Sequence, residues 1–568
     1  MEKRALIAIV IAFLILVGWS YIFPPPKPPV EPEAQQVEAT EAPPPAEPVA
    51  ETAPEPEAEP ADEEDEVVQA AAEEEITISN GLYEVTLSNR GGIAKSWKLL
   101  MYTTKDGRPL ELLPPNVEGE ERFLAVELDA SELTAALHEA LYTIERELLT
   151  DGERVTFTWS DGRGLKAAKS FSFKEGEYLV DVELEVTDRG RRLPARLALG
   201  PGFAAQEPVE SRSKYSYSGQ MVWNLGGNVT RMAKRKLDAD STFEGRLRWG
   251  GLEDQYFAAL VIPEQSPSRL AWRSRELTPD PDPLNGVDEE DIEATLEPII
   301  SVSVPSEGAL LFVGPKKYTM LREMGHELGK VVWFSSQGWL RPIVKAIFLG
   351  LIWIHDTVSP NYGLAIILAT IVLRLILFPV NQYAMVKMKK TQLEMGRLQP
   401  KIKAIKSKYK KQKDSQARAK MNQEMMDLYR KEGINPMGGV TGCLPLFAQF
   451  PILIGFYNML TVAIELRGAP FFGWIQDLST EDPFWITPIL MGITMFVQQK
   501  MAMTKIKDPQ QLQQQRFMMF MPFMFTFICL QMPSGLVLYW LMNNLLGMGQ
   551  QWLVNRQTGK LETASKKA

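Results

Sequence analysis

One arginine interrupts the apolar run Ile371-Val372-Leu373-Arg374-Leu375-Ile376-Leu377-Phe378-Pro379. A guanidinium inside a bilayer-spanning helix costs about 2.5–3.5 kcal/mol on insertion scales, so it needs a compensating environment. Snorkelling supplies one, because Arg374 lies only about 9 Å, at 1.5 Å per residue, from the end of its apolar stretch. A wet recess supplies another. Thr370 lies one turn away on the same face, Gln449 midway along the next apolar run, and Asn543-Asn544 midway along the last. Together these could line a hydrated cavity. The apolar runs 361–380, 438–463, 484–502, 517–533 and 534–555 contain no Asp or Glu. Arg374 therefore has no intramembrane carboxylate to neutralise it, and the acidic relay that a coupled transporter normally needs is missing. Such a cation suits transient attraction of something polar and acidic.

Other chemistry is poorly represented. His138, His326 and His355 all precede the five apolar runs, so no Ser–His or His–metal site forms within them. Gly325-His326-Glu327-Leu328-Gly329-Lys330 mimics a phosphate-binding loop, but it is one residue short and is followed by Val331 rather than Ser or Thr. The two cysteines, Cys443 and Cys529, lie in apolar surroundings, which excludes a disulfide framework and a Cys/His zinc cluster. No catalytic residue, metal or cofactor is expected, and the chain reads as a non-enzyme. Methionine is abundant, with Met491, Met495, Met518, Met521, Met542 and Met548 among the examples. Flexible thioethers suit either gap-filling between helices or surfaces that accept varied apolar partners.

The elements that must position Arg374 are strongly segregated. The 568 residues are 45% hydrophobic and 23% charged with a formal net charge of −10, but these averages describe no single region. Residues 5–23 form a near-continuous apolar run after Lys3 and Arg4 and end in Trp19, Tyr21 and Phe23, as a retained membrane anchor would. Residues 24–75, rich in Pro, Ala and Glu, bury too little apolar surface to fold and read as a disordered linker. From 76 to 322 the period is two: Tyr178 to Val186 alternates apolar with acidic residues, and Val155, Phe157 and Trp159 alternate with threonines. Turn signals at Asn80-Gly81, Arg90-Gly91-Gly92, Asp151-Gly152 and Asp161-Gly162 punctuate the pattern. One large β-sandwich with face-to-face sheets is expected.

The remainder is membrane. Each of the five later runs is near the roughly 20 residues a spanning helix needs. The run 339–356, with Arg341, Pro342 and Lys345, suits an amphipathic helix in the interface, within a 323–360 interfacial segment. If it does not span, the basic N-terminus, the 381–437 segment, the Lys500 to Arg516 loop and the Lys566-Lys567 tail all fall on one side. The expectation is a polytopic α-helical protein with six spans, both termini inside, residues 24–338 outside and a 557–568 tail. Residues 381–437 read as a basic helical hairpin: Leu398, Ile402 and Ile405 on one helix, kinked or restarted at Pro400, and Met421, Met425 and Leu428 on the other after a turn at Lys413-Asp414-Ser415. Its charge is either simply solvated or docks anionic headgroups or ribosomal RNA.

At this point the chain resembles a known family, the YidC insertases with their mitochondrial and chloroplast relatives. The resemblance runs through Asn361 to Ile367, the arginine run ending Phe378-Pro379, Leu428 to Pro436, Cys443 to Leu446, Gln449 to Ile452 and Pro533 to Trp540. Phrases at Leu199 to Phe203, Asp254 to Phe257 and Phe312 to Lys316 resemble the periplasmic domain of Gram-negative members, a β-supersandwich related to sugar-binding folds. The resemblance implies an inner-membrane insertase and chaperone with a hydrophilic groove open to the cytoplasm and lipid and closed outside. Arg374, Thr370 and Gln449 match groove positions, Asn543 joins them by its depth, and Tyr539 and Trp540 fall where the last span meets the substrate. Implied partners are nascent membrane proteins, the Sec translocon, phospholipid, and a ribosome or signal recognition particle receptor at the hairpin, with no DNA. An assembly chaperone that inserts nothing alone and a small-solute transporter are the rivals.

Overall fold

In the computed structural model, the described residues are 66–104, 106–114, 122–206, 219–233, 241–265, 268–277, 295–335, 337–409, 415–432, 454–503 and 509–567. The expected anchor 5–23 and residues 24–65 of the expected 24–75 linker lie outside them, as does most of the expected third span. The end of that linker is instead ordered on the β-domain, with Val68 and Ser160 exchanging backbone bonds (3.2 and 2.9 Å) and Ala70 N donating to Leu141 O (2.9 Å).

The alternating patterns become strands. In β9 (Leu179–Asp188) Val180, Val182, Leu184 and Val186 are buried while Glu183 and Glu185 face out. In β7 (Gly152–Ser160) Val155, Phe157 and Trp159 are buried. Successive side chains of a strand point to opposite faces, so an apolar set at every second position gives one buried face. The turn signals join β1 (Glu75–Ser79) to β2 (Tyr83–Ser88), β2 to β3 (Ile93–Thr103), β6 (Thr143–Leu149) to β7, and β7 to β8 (Leu165–Lys174). At the β2–β3 turn Gly91 has φ 69°, and a Cβ there would sit 2.8 Å from the carbonyl oxygen of His138.

One large sandwich was expected, and among the described residues its strands divide into three antiparallel sheets. The further strands are β4 (Pro109–Glu111), β5 (Val126–Glu127), β10 (Arg191–Arg192), β11 (Arg196–Leu199), β12 (Gln220–Leu225), β13 (Asn228–Met232), β14 (Ser241–Gly245), β15 (Leu247–Glu253), β16 (Phe257–Pro263), β17 (Ser268–Leu277), β18 (Thr295–Ser303) and β19 (Ala309–Pro315). A ten-stranded sheet runs β13-β12-β15-β16-β19-β9-β8-β7-β6 with β10 on β9, a five-stranded sheet runs β14-β17-β18-β11-β5, and a four-stranded sheet runs β1-β2-β3-β4. The ten-stranded sheet is too long for one partner to cover. Trp223 on β12 (Gln220–Leu225) stacks on Trp272 of β17 (Ser268–Leu277) at 5.3 Å, joining it to the five-stranded sheet. Tyr83 meets Phe173 at 6.5 Å and joins it to the four-stranded sheet.

Among the described residues, two of the charged groups buried in this domain have no exposure at all. Glu253 is fully enclosed between Lys316 (3.0 Å) and Arg231 (2.7 Å). Burial alone would raise its pKa, but the two cations outweigh this and hold it below the ordinary carboxylate value. Lys169, equally enclosed, donates to the carbonyls of Leu124 (2.8 Å) and Gly91 (3.3 Å), and burial pushes its pKa down to about 7.

The later elements are helical: α3 (Arg341–Thr357), α4 (Tyr362–Lys408), α5 (Ser415–Lys431), α6 (Ile486–Ala502), α7 (Pro509–Cys529) and α8 (Ser534–Lys567), after the short α1 (Ser131–Glu139) and α2 (Tyr318–Glu323) in the β-domain. Val344, Phe348, Leu351 and Ile354 form the buried stripe of α3, while Trp339 and Trp353 are exposed. Among the described residues one helical stretch, Tyr362–Thr391, is long and apolar enough by itself to cross a bilayer. Of the kink or restart expected at Pro400, the restart does not occur. The helix α4 continues from the apolar run to Lys408 with Pro379 and Pro400 inside it. Pro400 removes one backbone bond at an exposed position, where the rest of the helix holds the geometry. The α4–α5 hairpin is antiparallel, with Leu398 and Ile402 packed on Met425, Leu428 and Tyr429, and Lys408 on Glu424 at 2.6 Å.

Because Lys169 titrates lower in the folded chain than unfolded, the unfolded state binds more protons between about pH 7 and the ordinary lysine value. Stability of the β-domain should therefore rise with pH in that window, by at most about 1.4 kcal/mol per unit. Lys169→Met should flatten this slope in thermal melts of the full chain at pH 7 to 10.

Candidate functional site

The helices α4 and α8 meet along a polar seam centred on Arg374. Its Nε donates to Asn543 Oδ1 at 2.8 Å, Nη2 to the Asn543 backbone carbonyl at 3.0 Å, and Nη1 to Gln550 Oε1 at 3.4 Å. Each of these acceptors is neutral. A recess beside the guanidinium is lined by Thr370, Leu373, Arg374, Leu377, Asn381, Tyr539 and Asn543. On α4 these positions follow helical spacing, so one face carries Thr370, Arg374, Leu377 and Asn381. The opposite side of the same turn leaves Leu375 and Ile376 two-thirds exposed.

Four of the expected site residues thus meet. Thr370 is buried and donates to its own helix at Ile366 (2.6 Å), so its methyl and oxygen form the inner wall. Tyr539 is buried and stacks on Phe456 at 4.2 Å, with the planes 12° apart. Trp540 does not join the recess. One residue advances a helix by about 100°, and this places Trp540 against Phe525 at 4.7 Å, beside Met491, Cys529 and Val537. Asn544 likewise turns away, donating to the Met491 carbonyl at 3.3 Å. Gln449 lies outside the described residues.

Sequence inspection missed Gln550 and Gly547. Gln550 is buried, and besides accepting from Arg374 it donates to the Phe378 carbonyl at 3.4 Å. A polar residue near the basic end of the last apolar run carries no mark that separates it from an interfacial one. Gly547 lies one turn after Asn543, and a Cβ there would sit 3.0 Å from Arg374 Nη2.

Above the recess, residues 464–485 tie the starts of α4, α6 and α8 together. Asn361 caps α4 by accepting from Leu364 N (3.0 Å) and donates to the carbonyls of Pro470 and Phe471. At the start of α8, Ser534 N donates to Thr480 O (2.6 Å), Ser534 Oγ to Asp477 O (3.0 Å) and Gly535 N to Leu478 O (2.9 Å). Asp482, with no exposure, accepts from Thr487 N (2.8 Å) and Oγ1 (2.7 Å), Phe484 N (3.0 Å) and Trp474 Nε1 (3.0 Å). Burial works to raise its pKa, but these donors prevail and hold it below the ordinary value. The β-domain reaches the same level: Gln255 Nε2 donates to Thr461 O at 2.6 Å, and the Arg467 guanidinium lies 5.3 Å from the Phe257 ring.

The chain matches two family models, the YidC periplasmic domain over residues 75–349 and the 60Kd inner membrane protein over residues 353–561. It is 34% identical to the membrane protein insertase YidC of Syntrophus aciditrophicus, covering 98% of this chain and all of that one. The chain belongs to the YidC family of membrane protein insertases. The insertase YidC of Geobacter metallireducens is 32% identical over 99% of this chain and all of its own. An active YidC insertase crystal structure with its first transmembrane domain resolved is 19% identical, with a TM-score of 0.34 over 86% of this chain and 94% of that one. The family assignment makes this an inner-membrane protein with a periplasmic β-domain, and it groups the chain with insertases rather than with enzymes.

Loss of the Asp482 carboxylate leaves its buried donors unpaired, at a cost of about 3 kcal/mol. Asp482→Ala should make residues 464–485 markedly more sensitive to limited proteolysis in detergent, while the β-domain fragment pattern stays unchanged.

Proposed function

We propose that this chain is a membrane protein insertase and chaperone that receives nascent membrane proteins from the cytoplasmic side and passes them into the bilayer through the Arg374 recess, alone or beside the Sec translocon. The observation that carries this reading is a guanidinium set in a carboxylate-free helix seam and held by neutral acceptors. Its charge stays available to a passing segment that is acidic and polar.

The polar flank of the substrate enters the recess from the α4–α5 hairpin side, which shortens the stretch of hydrocarbon that polar groups must cross. Apolar segments then leave past the Tyr539–Phe456 pair along the third and sixth spans, opposite the 464–485 cover. Burial of an apolar segment of about 20 residues drives the step, so no nucleotide is required. The topology that fits is six spans with both termini cytoplasmic and residues 24–338 periplasmic. Trp339 and Trp353 anchor α3 at the outer interface. The basic hairpin is the docking surface for headgroups, a ribosome or the signal recognition particle receptor. Tyr539, Asn543, Thr370 and Gln449 complete the substrate path.

Insertion of a short acidic-tailed, single-span protein into proteoliposomes holding Arg374→Ala should fall roughly tenfold, as expected for about 1.4 kcal/mol of lost charge interaction. Arg374→Lys should retain more activity than Arg374→Ala. Equal insertion by all three proteins would contradict the electrostatic role.

A further inference from the structure

The anchoring of Arg374 has a consequence for which substrates this recess accepts. A buried guanidinium with unpaired N–H groups would gain from any polar partner, neutral or charged. Here the partners are already present. Asn543 supplies both its side-chain oxygen, 2.8 Å from Nε, and its backbone carbonyl, 3.0 Å from Nη2. The second contact requires close approach to the α8 backbone, and Gly547 leaves the space for it. A Cβ at position 547 would stand 3.0 Å from Nη2 and 2.3 Å from Gln498 Nε2, so both side chains would have to move.

We propose that Asn543 and Gly547 set the substrate selectivity of the recess, by parking Arg374 on neutral acceptors that a carboxylate displaces and an amide or hydroxyl does not. The inference rests on the proposed role of Arg374 in receiving substrate. An incoming neutral group exchanges one neutral acceptor for another and gains nothing. A carboxylate adds the second charge, and only then is the attraction of two opposite charges at contact distance gained, which is stronger in a desolvated recess than in water. It also matches the planar fork of the guanidinium with two oxygens. Asn543 and Gly547 are positioning residues in this scheme, acting through Arg374. The substrate class it favours is a short flank bearing Asp or Glu.

The test uses paired substrates that differ only by Asp→Asn changes in the translocated tail, inserted into proteoliposomes holding the full chain. The unaltered protein should favour the acidic tail about fivefold, the scale of one charge–charge attraction in a partly solvated recess. Two variants should collapse this ratio from opposite sides. Asn543→Asp places a carboxylate against Nε, so acidic-tail insertion should fall toward the neutral level. Gly547→Ala crowds Nη2 and weakens its bond to the Asn543 carbonyl by displacing the guanidinium a few tenths of an ångström, so neutral-tail insertion should rise. A merely structural role would lower both substrates together and leave the ratio intact, and that result in the folded variants would overturn the proposal while leaving the role of Arg374 standing. If Asn543→Asp fails to accumulate, Gly547→Ala decides alone. No acidic preference in the unaltered protein would instead remove the underlying reading of Arg374.

Discussion

A guanidinium set between helices without a counter-charge is the constraint from which the membrane half follows. Its desolvation is expensive, and the apolar runs hold no Asp or Glu to offset it. The solution is distributed over two helices. On α4 the stretch around Arg374 divides into a lipid-type face, Leu375 and Ile376, and a recess face, Thr370, Leu377 and Asn381. On α8 the residues that meet it are an amide, a glycine one turn later and a second amide at Gln550. Hydrogen bonds to neutral partners stabilise the cation without cancelling it, so positive charge persists in the recess.

That arrangement requires helices held at a fixed spacing, and the elements above the recess supply the clamp. Residues 464–485 join the starts of α4, α6 and α8 through backbone bonds and the buried Asp482. The β-domain braces the same level. The strand-end phrases around Asp254 and Lys316 converge there, with Lys316 Nζ donating to the Asp254 carbonyl at 2.6 Å and Asp254 accepting from Phe257 N and Ala205 N. From that node Gln255 and Phe257 reach Thr461 and Arg467. The large sandwich therefore contributes rigidity at the outer ends of the helices, whatever else its surfaces do.

Much of this was legible in the residues, for local reasons. Alternation at Val180 to Val186 fixed strand and face together, because strand side chains alternate. Helical spacing placed Thr370 and Arg374 on one side before any contact was known, whereas Asn381, on the same face, was not singled out. Pairing was not legible: β16 (Phe257–Pro263) lies beside β19 (Ala309–Pro315), some fifty residues on, and no local pattern states that. The third sheet escaped for the same reason. Within the site, Tyr539 and Trp540 looked equivalent as neighbours, but consecutive helical residues face about 100° apart and only Tyr539 reaches the recess. Gly547 and Asp482 were invisible because their roles consist of close approach and buried acceptance, which exist only once distant helices are packed. At Pro400 only the restart alternative failed, since a proline at an exposed helix position removes a bond without ending the helix.

A recess that opens inward and is sealed above is the central claim, and solvent access at its wall tests it most directly. Leu377 lines the recess and is half-buried. With Cys443 and Cys529 replaced by alanine, Leu377→Cys can be challenged with a membrane-impermeant thiol reagent from either face of the membrane. Labelling from the cytoplasmic face of inverted vesicles, with none from the periplasmic face of spheroplasts, is the expected result. Labelling from the periplasmic face, or from neither, would contradict it.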